Sequence, residues 1–138
     1  MADKLFIDVN IILDVAAERQ PHLGASQKIL SLIESGKVRG YISAASFPIL
    51  YYLLEKEIGD DAAREYLEVL SDLLTVVPLG RRELLRAMRI RTNDYEDALQ
   101  AASAEACGAD RIITRDLKGY RGSPVKAVTA VGYLEGLK

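Results

Sequence analysis

Apolar residues along the chain follow two spacings, and the alternation between them predicts the elements. Lys4-Leu-Phe-Ile is a short apolar run ending in a carboxylate, Asp8, which reads as a buried strand with Asp8 at its carboxyl end. Asn10 marks a helix start, followed by Ile11, Ile12, Leu13 and Val15. After the break at Pro21-His22-Leu23-Gly24, the spacing of Ile29, Leu32 and Ile33 predicts a second helix stopped by Gly36. Residues 37–43 read as a strand, and residues 45–58 as a helix apolar nearly all round at its start and therefore buried. Gly59 ends that helix, and Asp60 or Asp61 is expected to cap the next, with Tyr66, Leu67, Leu70, Leu73 and Leu74 as its stripe. Residues 75–77 form a short strand ended by Pro78, and an arginine-bearing helix follows. Asn93 with Glu96 three residues on predicts a capping box opening a helix that runs to Cys107 and stops at Gly108. Residues 111–114 form a further strand, with Asp116 just past its end. A loop from Gly119 to Pro124 then leads to a weak strand at 125–128 and a short final helix.

Strands alternating with helices predict an α/β fold, a mostly parallel sheet of four to five strands covered on both faces. The 138 residues are expected to form a single domain spanning 1–138. Hydrophobic residues make up 49% and charged residues 28%, which excludes a disordered chain and a disulfide scaffold. No apolar run approaches the roughly 18 residues of a membrane span, and the first residues lack a signal-peptide layout. With one cysteine, Cys107, no internal disulfide is possible, so a reducing cytoplasm is the expected location. With one histidine, His22, any metal site must be built from oxygen ligands.

The net charge of −2 conceals an uneven distribution. Residues 81–91 hold five basic residues against one acidic, and 111–126 again five against one. On a helix, Arg82, Arg86 and Arg89 would share one face. Together with Arg115 and Lys118 they form a candidate surface for a nucleic-acid backbone, although for a basic cluster by itself a solvated helix face is the more ordinary reading.

Open parallel sheets bind ligands beyond the carboxyl ends of their strands. Asp8 and Asp116 occupy that position, and Asp97 lies in the first turn of the helix feeding the second of those strands. A helix cap explains any one of them, as it does Asp94 and Glu96. Three carboxylates in one crevice, however, repel one another unless a cation lies among them, and oxygen-only ligands point to Mg²⁺ or Mn²⁺. Thr114 could orient a bound water or a phosphate oxygen. Asn10 could hold Asp8, or simply cap the helix.

These residues resemble the PIN-domain ribonucleases. Phe6-Ile-Asp8-Val-Asn10-Ile-Ile-Leu13-Asp14 is similar to the opening motif of that family, the stretch from Asp97 to Ala104 to its central motif, and Ala109-Asp110-Arg-Ile-Ile-Thr114-Arg115-Asp116 to its closing motif. The resemblance implies a three-layer α/β/α nuclease acting on RNA, with catalytic acids at Asp8, Asp97 and Asp116 and supporting groups at Asn10 and Thr114. It further implies a toxin held inactive by an antitoxin protein, and a homodimer. One position departs from the family: Ile49 stands where a glutamate is usual on the helix after the second strand. Glu55 and Glu57 lie six and eight residues later, roughly 9 and 12 Å along a helix, so neither replaces it. Asp94, one turn before Asp97 and on nearly the same face, or Glu96 is the candidate for a fourth ligand. The departure leaves open a PIN-like RNA- or protein-binding module without activity. An enzyme forming a phosphoaspartate at Asp8 is a third reading, disfavoured because the nearest lysine to the last carboxylate, Lys118, lies in a loop.

Overall fold

In the computed structural model, which describes residues 1–137, the central strands alternate their side chains between two apolar layers. Leu5, Ile7, Ile42 and Ile113 enter one layer, while Phe6, Tyr41 and Ile112 enter the other. A strand with a period of two can feed both layers only if helices cover both faces. The strands are β1 (Lys4–Ile7), β2 (Arg39–Ser43), β3 (Thr75–Val77), β4 (Arg111–Ile113) and β5 (Ala127–Val128). They form one five-stranded sheet in the order β3-β2-β1-β4-β5, and every pairing is parallel.

The first layer packs α1 (Val9–Ala16), α2 (Leu23–Glu34), α3 (Ser46–Ile58), α4 (Asp60–Leu73) and α7 (Ala130–Gly136) on one face. The second packs α5 (Arg81–Ala87) and α6 (Tyr95–Ala106) on the other. The result is the three-layer α/β/α arrangement expected from the alternation. No helix among the described residues is long and apolar enough to cross a membrane.

Two helix starts and one helix end differ from expectation. The residue joining α3 to α4 is Gly59, with φ of +84°, and no side chain caps α4. A left-handed residue allows the chain to reverse between two helices without an intervening loop, and glycine adopts it without steric cost. The cap of α6 is Asp94, whose carboxylate accepts from the Asp97 N–H at 2.9 Å, and not Asn93. Most consequentially, α5 ends at Ala87. Arg89 therefore lies beyond the helix, and the three-arginine face does not form.

The sheet positions the site through its order and register. β1 is central, with β2 on one side and β4 on the other, so the connections diverge between β1 and β4. Such a divergence opens a crevice at the carboxyl ends of the two strands. Ile7 pairs with Ile113, and the Asp8 N–H donates to the Ile113 carbonyl at 3.0 Å. The next residues on each strand, Asp8 and Thr114, are thereby brought side by side.

Close approach of helices to the sheet depends on Gly40 in β2. A Cβ there would meet Leu74 Cδ2 at 2.5 Å and Ile33 Cδ1 at 2.6 Å, both core atoms. Gly40→Ala is expected to cost about 1–3 kcal/mol through overpacking, read as a lowered denaturation midpoint with an unchanged denaturant slope.

Candidate metal-binding active site

Asp8 ends β1 and caps α1, its carboxylate accepting from the Val9 N–H at 2.7 Å. Thr114, wholly buried, donates to Asp8 Oδ2 at 2.7 Å. The same hydroxyl oxygen accepts from Asn10 Nδ2 at 3.2 Å and from the Asp116 N–H at 3.0 Å. A hydroxyl has one proton and two lone pairs, and all three are used. Burial removes Thr114 from contact with any substrate. Its place is to hold Asp8, not to orient a water or a phosphate oxygen as the sequence led us to expect. Asn10 donates weakly to Asp8 Oδ2 at 3.4 Å and accepts from the Arg115 N–H at 3.2 Å, so it joins the ends of β1 and β4.

Asp97 and Asp116 converge on Gly119, in the single 3₁₀ turn Lys118–Tyr120. The Gly119 N–H donates to Asp116 Oδ1 at 3.1 Å. A Cβ on Gly119 would meet Asp116 Oδ2 at 2.5 Å and Asp97 Oδ2 at 2.9 Å, so the two carboxylates face one point that only glycine leaves open. The electrostatics record the crowding. Burial, then the charges of Asp94, Asp8 and Asp116, push the Asp97 carboxyl up to about 7. Burial also raises Asp8, against the opposing effects of Thr114, the Val9 N–H and the Tyr120 hydroxyl.

Among the described residues, no three histidine, cysteine, aspartate or glutamate side chains close into a ready metal-ligand set. The carboxylates nevertheless have the donor chemistry of a hard divalent ion, and their mutual destabilisation is what such an ion relieves. The crevice therefore fits the metal by its chemistry. Asp94 lies within the same field but spends one carboxylate oxygen on capping α6.

The basic residues are distributed otherwise than the sequence implied. Arg86 forms a two-pronged bond with Glu105, at 2.7 and 3.2 Å. Glu105 lies eight residues beyond Asp97 on α6, roughly 12 Å along its axis. Arg86 and Arg82 line a groove there with Tyr41, Thr75 and Cys107, at the end of α6 away from the carboxylates. Arg115 donates to wholly buried Asp14 at 2.9 Å, tying the loop after β4 to α1. Lys118 is exposed and precedes Gly119 in the chain. Ile49 packs half-buried against the α1–α4 core, and Glu57 pairs with Arg19 at 3.8 Å, so α3 sends no carboxylate to the crevice.

Two participants were not singled out beforehand. Tyr120 is 4% exposed, and its hydroxyl lies toward Asp8 without a completed hydrogen bond. Burial and the neighbouring carboxylates hold its phenol far above the usual range. Asp14 is the buried partner of Arg115 and of Ser26, which donates to it at 3.1 Å. Its signals in the sequence were its place at the end of the opening motif and its spacing from Asn10, one helical turn.

A parallel sheet with aspartates beyond the carboxyl ends of its central strands defines a small three-layer α/β/α protein with an acidic crevice. The sequence pattern of the PIN domain matches residues 4–118, and the chain belongs to that family. Ribonuclease VapC1 of Aquifex aeolicus (strain VF5) is 25% identical over 139 residues, covering 97% of this chain and 95% of its own length. Among solved structures, VapBC2 from Rickettsia felis bound to a promoter DNA fragment matches with a TM-score of 0.72 at 16% identity, over 91% of this chain and 98% of that one. A toxin–antitoxin complex from Klebsiella pneumoniae matches with a TM-score of 0.70 at 20% identity, over 91% and 97%.

Two measurements test this account of the site. Because the Asp97 carboxyl is raised from 3.8 to about 7, the folded state holds its proton more tightly than the unfolded chain does. Its effect on stability is therefore absent below about pH 4, grows as a penalty between pH 4 and 7, and is complete above pH 7. Without divalent cations, Asp97→Asn should melt with the native protein at pH 4 but above it at pH 8, by on the order of 1 kcal/mol after solvent screening. A second test is Thr114→Val, which leaves Asp8 without its buried donor. It is expected to cost about 1–3 kcal/mol in chemical denaturation, most of it recovered in Thr114→Ser.

Proposed function

We propose that the chain is a divalent-metal-dependent endoribonuclease in which Asp8, Asp97 and Asp116 hold Mg²⁺ or Mn²⁺. What supports the reading is that Asp97 lies in the field of Asp8 and Asp116 beside the β1–β4 switch point, where burial and then the neighbouring charges push it up to about 7. A bound ion of this type activates water and offsets charge on a phosphodiester. The chain's own residues supply the frame. Thr114, Asn10 and the Val9 N–H fix the Asp8 carboxylate. The Gly119 N–H orients Asp116. Asp94 fixes the first turn of α6 and with it Asp97, and remains a candidate outer ligand. Lys118 is placed to contact an RNA phosphate beside the crevice.

The relative named as a ribonuclease, and solved neighbours that are toxin–antitoxin assemblies, support a cytoplasmic toxin restrained by an antitoxin protein. A homodimer belongs to the same reading, and so does a single domain spanning 1–138. Ile49 favours a second reading, in which the fold binds RNA or protein without cleaving it, because α3 contributes no ligand.

Mn²⁺ binding followed in the native chain and in Asp8→Asn and Asp116→Asn separates the two. Saturable binding lost in both variants is the expected result; a native chain that binds no Mn²⁺ would establish the non-catalytic reading. With a cleavable RNA, Asp116→Asn should lower the rate by about a hundredfold or more. Loss of a ligand exceeds the 10–100-fold effect typical of changes one shell further out. The variant should melt as a folded protein.

A further inference from the structure

The junction of α5 and α6 carries exposed apolar surface beside the carboxylates that no part of the site described so far uses. Met88 is 60% exposed and Tyr95 45%, with Leu84 and Leu85 next to them. The Tyr95 ring is held, because its hydroxyl donates to the Leu84 carbonyl at 3.2 Å across the junction. Met88, Arg91, Thr92, Asp94, Tyr95 and Ala98 line a hollow of about 240 Å³. A neighbouring hollow is lined by Leu85, Met88, Arg89 and Arg91. The wall between hollow and crevice is anchored, since the Asn93 N–H donates to the Gly119 carbonyl at 3.2 Å. Asp94 borders the hollow on one side and lies in the field of Asp97 on the other.

From this placement we propose that the hollow is a subsite for one unpaired nucleobase of the RNA, with the Tyr95 ring as its stacking platform. The proposal rests on the ribonuclease reading and extends it to the state of the substrate. Three observations support a base over a docked peptide. The volume is below the 300 Å³ at which pockets for drug-sized ligands begin, which suits one planar ring system. Arg89 and Arg91 have no carboxylate partner among the described residues, in contrast to Arg86 and Arg115, so two guanidiniums are available to phosphates on either side of the base. The hollow also borders the crevice through Asp94, which lines it and lies in the field of Asp97, so a base held there would leave an adjoining phosphodiester on the carboxylate side. Bases inside a duplex present no free ring face, so the subsite selects single-stranded segments such as loops.

The chain contains no tryptophan, which makes a direct test available. Tyr95→Trp places one indole at the platform. A ten-nucleotide single-stranded RNA, added with chelator so that it is not cut, is expected to quench that fluorescence. The same strand with abasic positions, equal in charge, is expected to bind at least about fivefold more weakly, the lower end of the effect of one stacked base. A blunt duplex is expected to leave the indole unquenched. In the otherwise native chain, Tyr95→Ala should weaken single-stranded RNA binding by a similar factor without altering its salt dependence, whereas Arg91→Ala should flatten that dependence. Equal affinity for intact and abasic strands, or equal quenching by duplex, would overturn the subsite while leaving the ribonuclease reading standing, and would return the surface to protein docking. A native chain with no affinity for any RNA would overturn the ribonuclease reading and the subsite together.

Discussion

One hydroxyl, that of Thr114, joins the three pieces of chain from which the crevice is made. It donates to Asp8 at the end of β1, accepts from Asn10 on α1, and accepts from the N–H of Asp116 beyond β4. Its two lone pairs are taken by N–H groups, so its single proton can go only to the Asp8 carboxylate. That assignment keeps a partly buried carboxylate supplied with a donor in a place where burial alone would drive it toward the neutral form. The parallel register determines that Thr114 arrives beside Asp8, and the remaining carboxylates are placed relative to this pair.

The crevice concentrates negative charge and leaves part of it unrelieved. Asp97 bears most of the cost, since it faces Asp94, Asp8 and Asp116 while partly withdrawn from water. The fold offsets the cost through backbone donors: the Val9 N–H on Asp8, the Gly119 N–H on Asp116, and the first turn of α6 beneath Asp97. The Asp14–Arg115 pair adds a buried brace between α1 and the loop that carries Asp116. Breaking one partner of such a pair leaves the other charge unmatched, so the brace holds the loop more firmly than an exposed pair would.

The layered architecture was legible because period and length agree: short apolar runs alternate with amphipathic stretches, and several of them end at glycine, proline or a carboxylate. The proximity of Asp8 and Asp116 was also legible, since strand ends in a parallel sheet share one edge, and Asp97 was legible as the opening of the helix that leads into β4. The basic surface was not. Spacing alone joined Arg82, Arg86 and Arg89, but α5 stops at Ala87 and Glu105, distant in sequence, neutralises Arg86. Arg115 was misread for a similar reason, because its partner Asp14 is buried and lies 101 residues away along the chain. Tyr120 stayed hidden because a tyrosine after a glycine-containing loop carries no periodic signal, and only the packing of β1, β4 and α6 turns it toward Asp8.

The sheet is long in strands but narrow at its margins. Its outer strands are Thr75–Val77 and Ala127–Val128, three and two residues. A free margin that short exposes few unpaired N–H and C=O groups, too few to template an added strand from another chain. Five all-parallel strands can thus remain unshielded at both ends without inviting fibrous stacking. Association with copies or partners is left to helical faces, where specificity is set by side chains and not by backbone pairing common to every protein.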